Sequence, residues 1–450
     1  MTKSVPLNSH IHVASRPSLL LTEKIYSGIV FTNNTRIIFT GKTIHYQTSF
    51  KLIVYNYMVQ TISEETVMCE PVSAPALFDT IPPSRHLKLS VILPVRNEVD
   101  NLFNTLEALR NQLDTNGLKV PFSHYEVLML ANNCTDDSAE FAKNYQANYP
   151  EFNLLIEEIH LSADVAHIGT VRRLLMDSAY NRFALLKKPE GIIASTDGDT
   201  EVDKHWVYNT IEEIQKGNDV VGGRILTRRE NTLARVYYLR DVTYKHLVSK
   251  IETLLDPIDN DPWPRHYQCF GASFAVTCAI YDLSGRLPVI PFLEDMAFHR
   301  ALTRIDAKIR LSPLVKVITS TRIQGRVDFG FSIQLKQWGE MNEARDPVMV
   351  EQAGALFKRL KARNMLRQYW NYDCIQKTVC SNVLTSVAEI LHLDQEWLAD
   401  QVSSLTYFGM LWEKIEEELE HGAWNERWPK MDVVDVIIDL KRKIQDHQLI

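Results

Sequence analysis

The chain has 450 residues, 45% of them hydrophobic and 23% charged, which allows a sizeable buried core and excludes the disordered and fibrous classes. Forty-nine Lys and Arg stand against 56 Asp and Glu, a formal charge of −7, which argues against a protein built to coat nucleic acid or an anionic membrane. Six cysteines occur without a Cys-x-x-Cys pair, so neither a zinc site nor a disulfide framework is indicated, and a reducing compartment fits.

Residues 1–57 carry β-rich stretches at 29–31, 36–39 and 50–55, separated by Asn-Asn and Gly-Lys turn signals. The style changes at Met58, which makes it the expected native start, with 58–87 a polar lead-in broken by Pro82 and Pro83. No signal-peptide pattern precedes it, and no run of 18 apolar residues occurs anywhere, so a cytoplasmic chain without a membrane span is expected. From Leu87 short apolar strands alternate with amphipathic helices: strands at 89–94, 125–130, 154–159 and 191–195, helices at 101–111, 136–149, 169–180 and 205–215. This alternation predicts a doubly wound α/β domain with mainly parallel strands flanked by helices. After about Trp338 the pattern turns helical, with Met349, Ala353, Leu356, Phe357 and Leu360 on one stripe and further helices near 379–391, 405–419 and 433–444. The reading therefore places an α/β domain at 88–338 and an α-helical C-terminal region at 339–450. The apolar faces of the latter suit recognition of a second molecule or a homodimer.

Several motifs fall where strands end. Asp197-Gly198-Asp199 ends the strand at 191–195 and precedes a helix, so two carboxylates can face one cation, and Mg2+ or Mn2+ suits them because these ions accept two carboxylates completed by phosphate oxygens and water. An acidic turn is the plain alternative. Pro94, Arg96, Asn97 and Glu98 join the first strand to its helix and offer partners for a nucleotide, while Asn97 or Asp100 also serves as a helix cap. Asn132 and Asn133 end the second strand beside that edge, with Thr135 or Asp136 as the next cap. Gly169-Thr170-Val171-Arg172-Arg173 opens a helix whose free amides and guanidiniums suit a diphosphate. Glu294 and Asp295 start the helix at 296–303. There Asp295 can act as general base toward an acceptor hydroxyl, or simply favour the helix dipole. His299, one turn on, can reach a metal or be an ordinary packed histidine. Arg322 and Arg326 lie in a 319–326 segment read as a loop able to close on the diphosphate, or as a basic surface loop.

Taken together, Ser90–Glu98, Asn132–Asp137, Asp197–Asp199 and Glu294-Asp295 resemble the family-2 glycosyltransferases in order and spacing over roughly 88–338. The resemblance implies a GT-A fold with a Rossmann-like mixed, mainly parallel sheet flanked by helices, a nucleotide-sugar donor, a hydroxyl acceptor, a divalent metal on Asp197 and Asp199, and inversion with Asp295 as base and Glu294 as the catalytic residue beside it. Arg96, Asn97 and Glu98 then match the nucleotide-binding segment, Arg172 the arginine after the family's glycine-containing loop, and Gly271-Ala272-Ser273 the acceptor-side segment. Two departures stand out. The family's Asp-Asp-Gly-Ser is Asn132-Asn133-Cys134-Thr135 here, and the Gln-x-x-Arg-Trp of processive members is replaced by Gln334–Trp338 without membrane helices, so a polymer synthase is not expected.

Chemically, a nucleoside diphosphate leaves with negative charge that a metal and Arg172 can neutralise, and one base suffices for a single displacement. The alternatives are a nucleotidyltransferase, which the glycine-free 94–98 loop disfavours, an inactive nucleotide-sugar-binding module, and a retaining glycosyltransferase.

Overall fold

The computed structural model describes residues 77–228, 232–320, 331–372 and 382–448. The expectations for residues 1–57, for Met58 as the start, for most of 58–87 and for Arg322 and Arg326 lie outside them. Among the described residues no helix is long and apolar enough to cross a membrane.

The first half of the domain alternates as expected: β1 (Leu89–Val95), α1 (Val99–Arg110), β2 (Tyr125–Asn132), α2 (Ser138–Asn148), β3 (Leu154–Ile159), α3 (Ile168–Leu185) and β4 (Ile192–Ser195). β1 and β2 are buried at every position, as strands covered on both faces must be. Leu89, Val91, Leu93 and Val95 point into a core shared with α1, α2 and α4 (Trp206–Gln215), whereas Ile92 points into a second core against α3. Ser90 shares that second face and gives its hydroxyl to Glu126 at 2.7 Å. The Glu126 carboxylate, fully buried, is gripped by Arg182 of α3 at 2.9 and 2.7 Å.

The second half brings β5 (Thr200–Val202), β6 (Val220–Thr227), α5 (Arg235–Leu255), β7 (Phe274–Thr277), α6 (Cys278–Leu283), α7 (Glu294–Arg304) and β8 (Ile309–Thr319). The eight strands form one sheet in the order β3-β2-β1-β4-β7-β6-β8-β5. Four of its seven pairings are parallel, and those of β4 with β7, β7 with β6 and β8 with β5 are antiparallel. This is the mixed α/β architecture expected. Gly222 and Gly223 leave room for the 268–273 stretch that leads into β7. A side chain on Gly223 would lie 2.0 Å from Ser273 Oγ.

Three details differ from the sequence reading. Asp197–Asp199 form a turn that leads into β5, not directly into a helix. Met349, assigned to a helical stripe, lies instead in a two-residue strand, β9 (Met349–Val350), after α8 (Phe331–Ala344). β9 pairs with β10 (Met431–Asp432), and helix α9 begins only at Ala353. The sequence reading also gave no element to α5 or to Gln395–Ser404, which is helical.

The C-terminal helices are α9 (Ala353–Trp370), α10 (Asn382–Leu391), α11 (Gln395–Ser404), α12 (Phe408–His421), α13 (Trp424–Arg427) and α14 (Val433–Gln448). They do not stand apart from the sheet domain. Val436, Leu440 and Ile444 of α14 pack with Leu247, Ile251 and Leu255 of α5. Asp256, at the end of α5, is buried and takes Arg363 and Arg367 of α9. Asp306 accepts hydrogen bonds from the Phe408 and Gly409 amides at 2.8 and 2.7 Å, so a residue following α7 caps α12. The boundary read at 338 falls inside α8.

Candidate active site

The Asp197–Asp199 turn is built by its neighbours. The Thr200 amide donates to the Asp197 carbonyl at 3.1 Å, and the Thr105 hydroxyl of α1 holds the Gly198 carbonyl at 3.0 Å. A Cβ on Gly198 would come within 3.0 Å of Glu98 Cγ and 3.3 Å of a Val95 methyl. Glycine lets the turn settle onto the corner between β1 and α1, at the carboxyl edge where open α/β sheets bind ligands.

Arg172, 3% exposed, sits behind that turn. Its Nη2 donates to Asp197 at 2.7 Å and its Nη1 pairs with Glu294. Burial works against the guanidinium charge, but Glu294, Asp197 and Asp295 outweigh it and hold its pKa above the ordinary value. Burial pushes Asp197 up to about 6. Arg172 opposes that push, while the charges of Asp199 and Asp295 add to it. The Asp197 side chain keeps 34% of its surface open, so water moderates the shift. Glu294, almost wholly buried, is also lifted by burial, with Arg172 opposing.

Asp295 occupies the first turn of α7. One of its oxygens accepts the Gly271 amide at 2.7 Å and the other the Met296 amide at 2.8 Å. The Gly271 carbonyl takes the Ser195 hydroxyl at 2.7 Å. A Cβ on Gly271 would lie 2.5 to 2.6 Å from the Arg172 guanidinium, so the backbone there rests on that group. Asp197, Arg172, Gly271, Glu294 and Asp295 thus form one connected cluster, which the sequence reading had as separate pieces.

At the start of α3, where open amides are expected to meet a diphosphate, the Thr170 amide is already taken. His167 Nδ1 accepts the Thr170 amide, and Gly169 is covered by the Ile290 backbone, whose carbonyl would lie 2.1 Å from a Cβ there. Glycine at 169 serves close packing. Arg173 is held by Asp177 at 2.7 Å and the Leu287 carbonyl at 2.8 Å, away from the cluster.

The edge at 94–98 and the end of β2 do meet. Asn97, at φ 55°, donates to the Thr135 hydroxyl at 3.0 Å and accepts the Thr135 amide at 2.7 Å. Asp136 accepts the Val99 amide, so α1 is capped from the neighbouring loop rather than by Asn97 or Asp100. Arg96 is exposed and reaches the Ala166 carbonyl at 3.3 Å. Glu98 is buried and accepts from Asn101 at 3.0 Å. Pro94 and Asn132 are buried in their strands. Asn133 is occupied on both sides of its amide by the Leu161 backbone, at 2.8 and 3.1 Å, and acts as a latch on the loop after β3.

Among the described residues no group of three or more His, Cys, Asp or Glu side chains could hold a metal. His299 is half-buried and held below its ordinary pKa by desolvation, with Asp295 opposing. The donor set at Asp197 and Asp199 still fits an ion that takes most of its ligands from a bound diphosphate and water. Arg172 engages only one Asp197 oxygen, and the repulsion Asp197 feels from Asp199 and Asp295 is what a divalent cation would relieve. Ser320, whose hydroxyl donates to Asp199, was not singled out from the sequence. A serine after a strand carries no signal of its own.

Residues 90–274 match the sequence profile of glycosyl transferase family 2. The glycosyltransferase AglE of Haloferax volcanii is 26% identical over 229 residues, covering 46% of this chain and 68% of its own. S. aureus TarS in complex with UDP aligns at 15% identity over 75% of this chain and 92% of that one, with a TM-score of 0.37. The mannosyltransferase PcManGT of Pyrobaculum calidifontis, in complex with GDP-Man and Mn2+, aligns at 12% identity over 87% and 93%, with a TM-score of 0.37.

Proposed function

We propose that this chain, whose residues 90–274 belong to glycosyl transferase family 2, moves a sugar from a nucleotide-sugar donor to a hydroxyl acceptor. The observation that carries the reading is the meeting of Asp197, Arg172 and Asp295 in one cluster at the carboxyl edge of β4. In this reading Asp197 and Asp199 hold Mg2+ or Mn2+, which neutralises charge on the departing diphosphate. Arg172 orients Asp197 toward that site. The exposed Arg96, with Asn97 and the buried Glu98 behind it, forms the floor on which the nucleotide lies.

Asp295 is the base. Its two amide contacts fix the direction of its carboxylate. It takes the acceptor proton as the hydroxyl attacks the anomeric carbon, and a single displacement of this kind inverts the configuration.

The test is release of nucleoside diphosphate from a panel of nucleotide-sugars with Mn2+ or Mg2+, for wild type, Asp199→Ala and Asp295→Asn. Metal-dependent release from one donor class, lost in Asp199→Ala, supports the donor half of the reading. Loss of transfer with donor binding kept in Asp295→Asn supports the base. Wild-type turnover that EDTA leaves untouched would remove the metal role, and a retained anomeric configuration in the product, read by NMR, would remove the single displacement.

A further inference from the structure

We propose that Glu294 is a positioning residue: through Arg172 it fixes the Asp197 turn on the donor side relative to Gly271 and the Asp295 base on the acceptor side. The inference rests on the roles of Asp197 and Asp295 proposed above and deepens them. It differs from a direct catalytic role for Glu294, because that side chain is only 4% exposed and its carboxylate is spent on Arg172.

The three segments that make the cluster are remote in sequence; the first two run on from strands β4 and β7, which pair with each other up to Ser195 and Phe274, whereas the third belongs to a helix outside the sheet. Asp197 lies in the turn after β4, Gly271 in the stretch before β7, and Glu294 and Asp295 at the start of α7. Arg172 of α3 touches all three. Nη2 holds Asp197, Nη1 holds Glu294, and the flat face of the guanidinium supports the Gly271 backbone, whose amide in turn holds Asp295. Arg172 Nε is buried without a hydrogen-bond partner, so the group is oriented by its two Nη contacts alone.

Two carboxylates therefore share one buried cation. With Glu294 charged, Asp197 carries only part of the task of neutralising Arg172 and remains available to a metal ion. With Glu294 neutral, the guanidinium is drawn wholly to Asp197. That holds the carboxylate back from the cation and withdraws support from Gly271, so the amide contact that directs Asp295 loosens. One change on the acceptor side is thus felt on the donor side.

The experiment uses the full chain and compares Glu294→Gln, Arg172→Lys and the double variant. Calorimetry measures binding of UDP and GDP in the presence of Mn2+, and hydrogen exchange measures protection of the Gly271 amide. Glu294→Gln is expected to weaken diphosphate binding by about 10- to 100-fold, the usual cost of removing a group that orients a metal ligand, and to speed exchange at Gly271. The double variant is expected to bind no worse than the weaker single one, because both substitutions break the same link. Where transfer is measurable at saturating donor, kcat falls and acceptor KM stays within about threefold, since on the acceptor side the base loses its direction while the acceptor's own contacts are kept. A folded Glu294→Gln with wild-type diphosphate affinity and wild-type Gly271 protection overturns the proposal, as do additive losses in the double variant. Should Glu294→Gln fail to fold, Glu294→Asp, which keeps the charge but shortens its reach, is read in the same way. If wild type binds neither UDP nor GDP with Mn2+, the donor-site reading fails. The Gly271 exchange comparison, which needs no ligand, still decides whether the link exists.

Discussion

Replacing Gly271 by alanine puts a methyl group where the structure has none to spare. The added Cβ would stand 2.5 Å from Arg172 Nη2 and 2.6 Å from Cζ and Nη1. An arginine tip can ordinarily swing aside, but this one is 3% exposed and fixed by Asp197 and Glu294. If the guanidinium retreats, a buried charge pair is broken, at about 3–5 kcal/mol. If the backbone retreats instead, the charge-assisted bond from the Gly271 amide to Asp295 is lost, about 1.5–3 kcal/mol, together with the Ser195 bond to the Gly271 carbonyl, about 1 kcal/mol. Both routes converge on roughly 3 kcal/mol of lost stability, and for a chain of this size, with a urea m-value above about 3 kcal/mol/M, that lowers the midpoint by roughly 0.5–1 M. Urea unfolding followed by circular dichroism measures it, with Gly117→Ala as the reference. That glycine has nothing within 4 Å of its would-be Cβ and costs only the strain of φ +79°, about 1 kcal/mol. Gly271→Ala with a midpoint equal to or above that of Gly117→Ala would refute the close packing of Gly271 on Arg172.

Three further outcomes follow from buried charges. Arg182→Leu leaves the fully buried Glu126 carboxylate without its cation and is expected to cost about 3–5 kcal/mol. Because that pair lies at the opposite end of β2 from the Asp197 edge, diphosphate affinity measured by calorimetry below the unfolding transition stays unchanged. Asp256→Asn removes the partner of Arg363 and Arg367 and is expected to loosen α9 from α5, seen as faster hydrogen exchange in α9 and α14 while β1 and β2 keep their protection. His266 is held down to about 4 by burial, with the Ser312 carbonyl opposing. Its Nδ1 accepts the Gln268 amide at 3.0 Å, which requires the neutral ring. A folded value below the ordinary 6.5 means that the unfolded chain binds the proton first, so this contribution is complete above about pH 6.5 and is lost as the pH falls toward 4. The loss amounts to about 3 kcal/mol. A His266 ring that titrates near 6.5 by NMR would contradict it.

The sheet's first half was readable in the sequence because its strands are buried on both faces and its helices carry clear stripes. Leu89–Val95 could be little else once flanked by Leu102, Leu106 and Leu109 at helical spacing. The second half was harder to read. β5 and β7 have three and four residues, too short for a periodicity to register. α5 begins Arg-Val-Tyr-Tyr-Leu-Arg-Asp and buries only five of its 21 residues, so its stripe is diluted until the C-terminal helices cover it. Met349 fitted the helical spacing of Ala353, Leu356 and Leu360, but its backbone pairs with Asp432, a partner more than eighty residues away that no local pattern announces.

The site divides along the same line. Charged motifs at strand ends were visible because sequence order alone puts Asp197, Asp295 and the 94–98 corner at turns between elements. What each charge faces was not visible, since that is set by contacts between elements. Arg172 was expected to offer its charge to a ligand at an open helix start. The structure instead turns it inward, while the first turn of α3 packs on Ile290 at Gly169 and is capped by His167. A buried guanidinium must find carboxylates, and among the described residues it pairs with Asp197 and Glu294. Once that pairing is made, Gly271 has to be glycine, and its amide is delivered to Asp295. The sequence holds each of these residues in plain sight, yet their dependence on one another exists only in the folded chain. This is why the substitutions that test the site best fall at Glu294 and Gly271, neither of which is placed here against the donor or the metal.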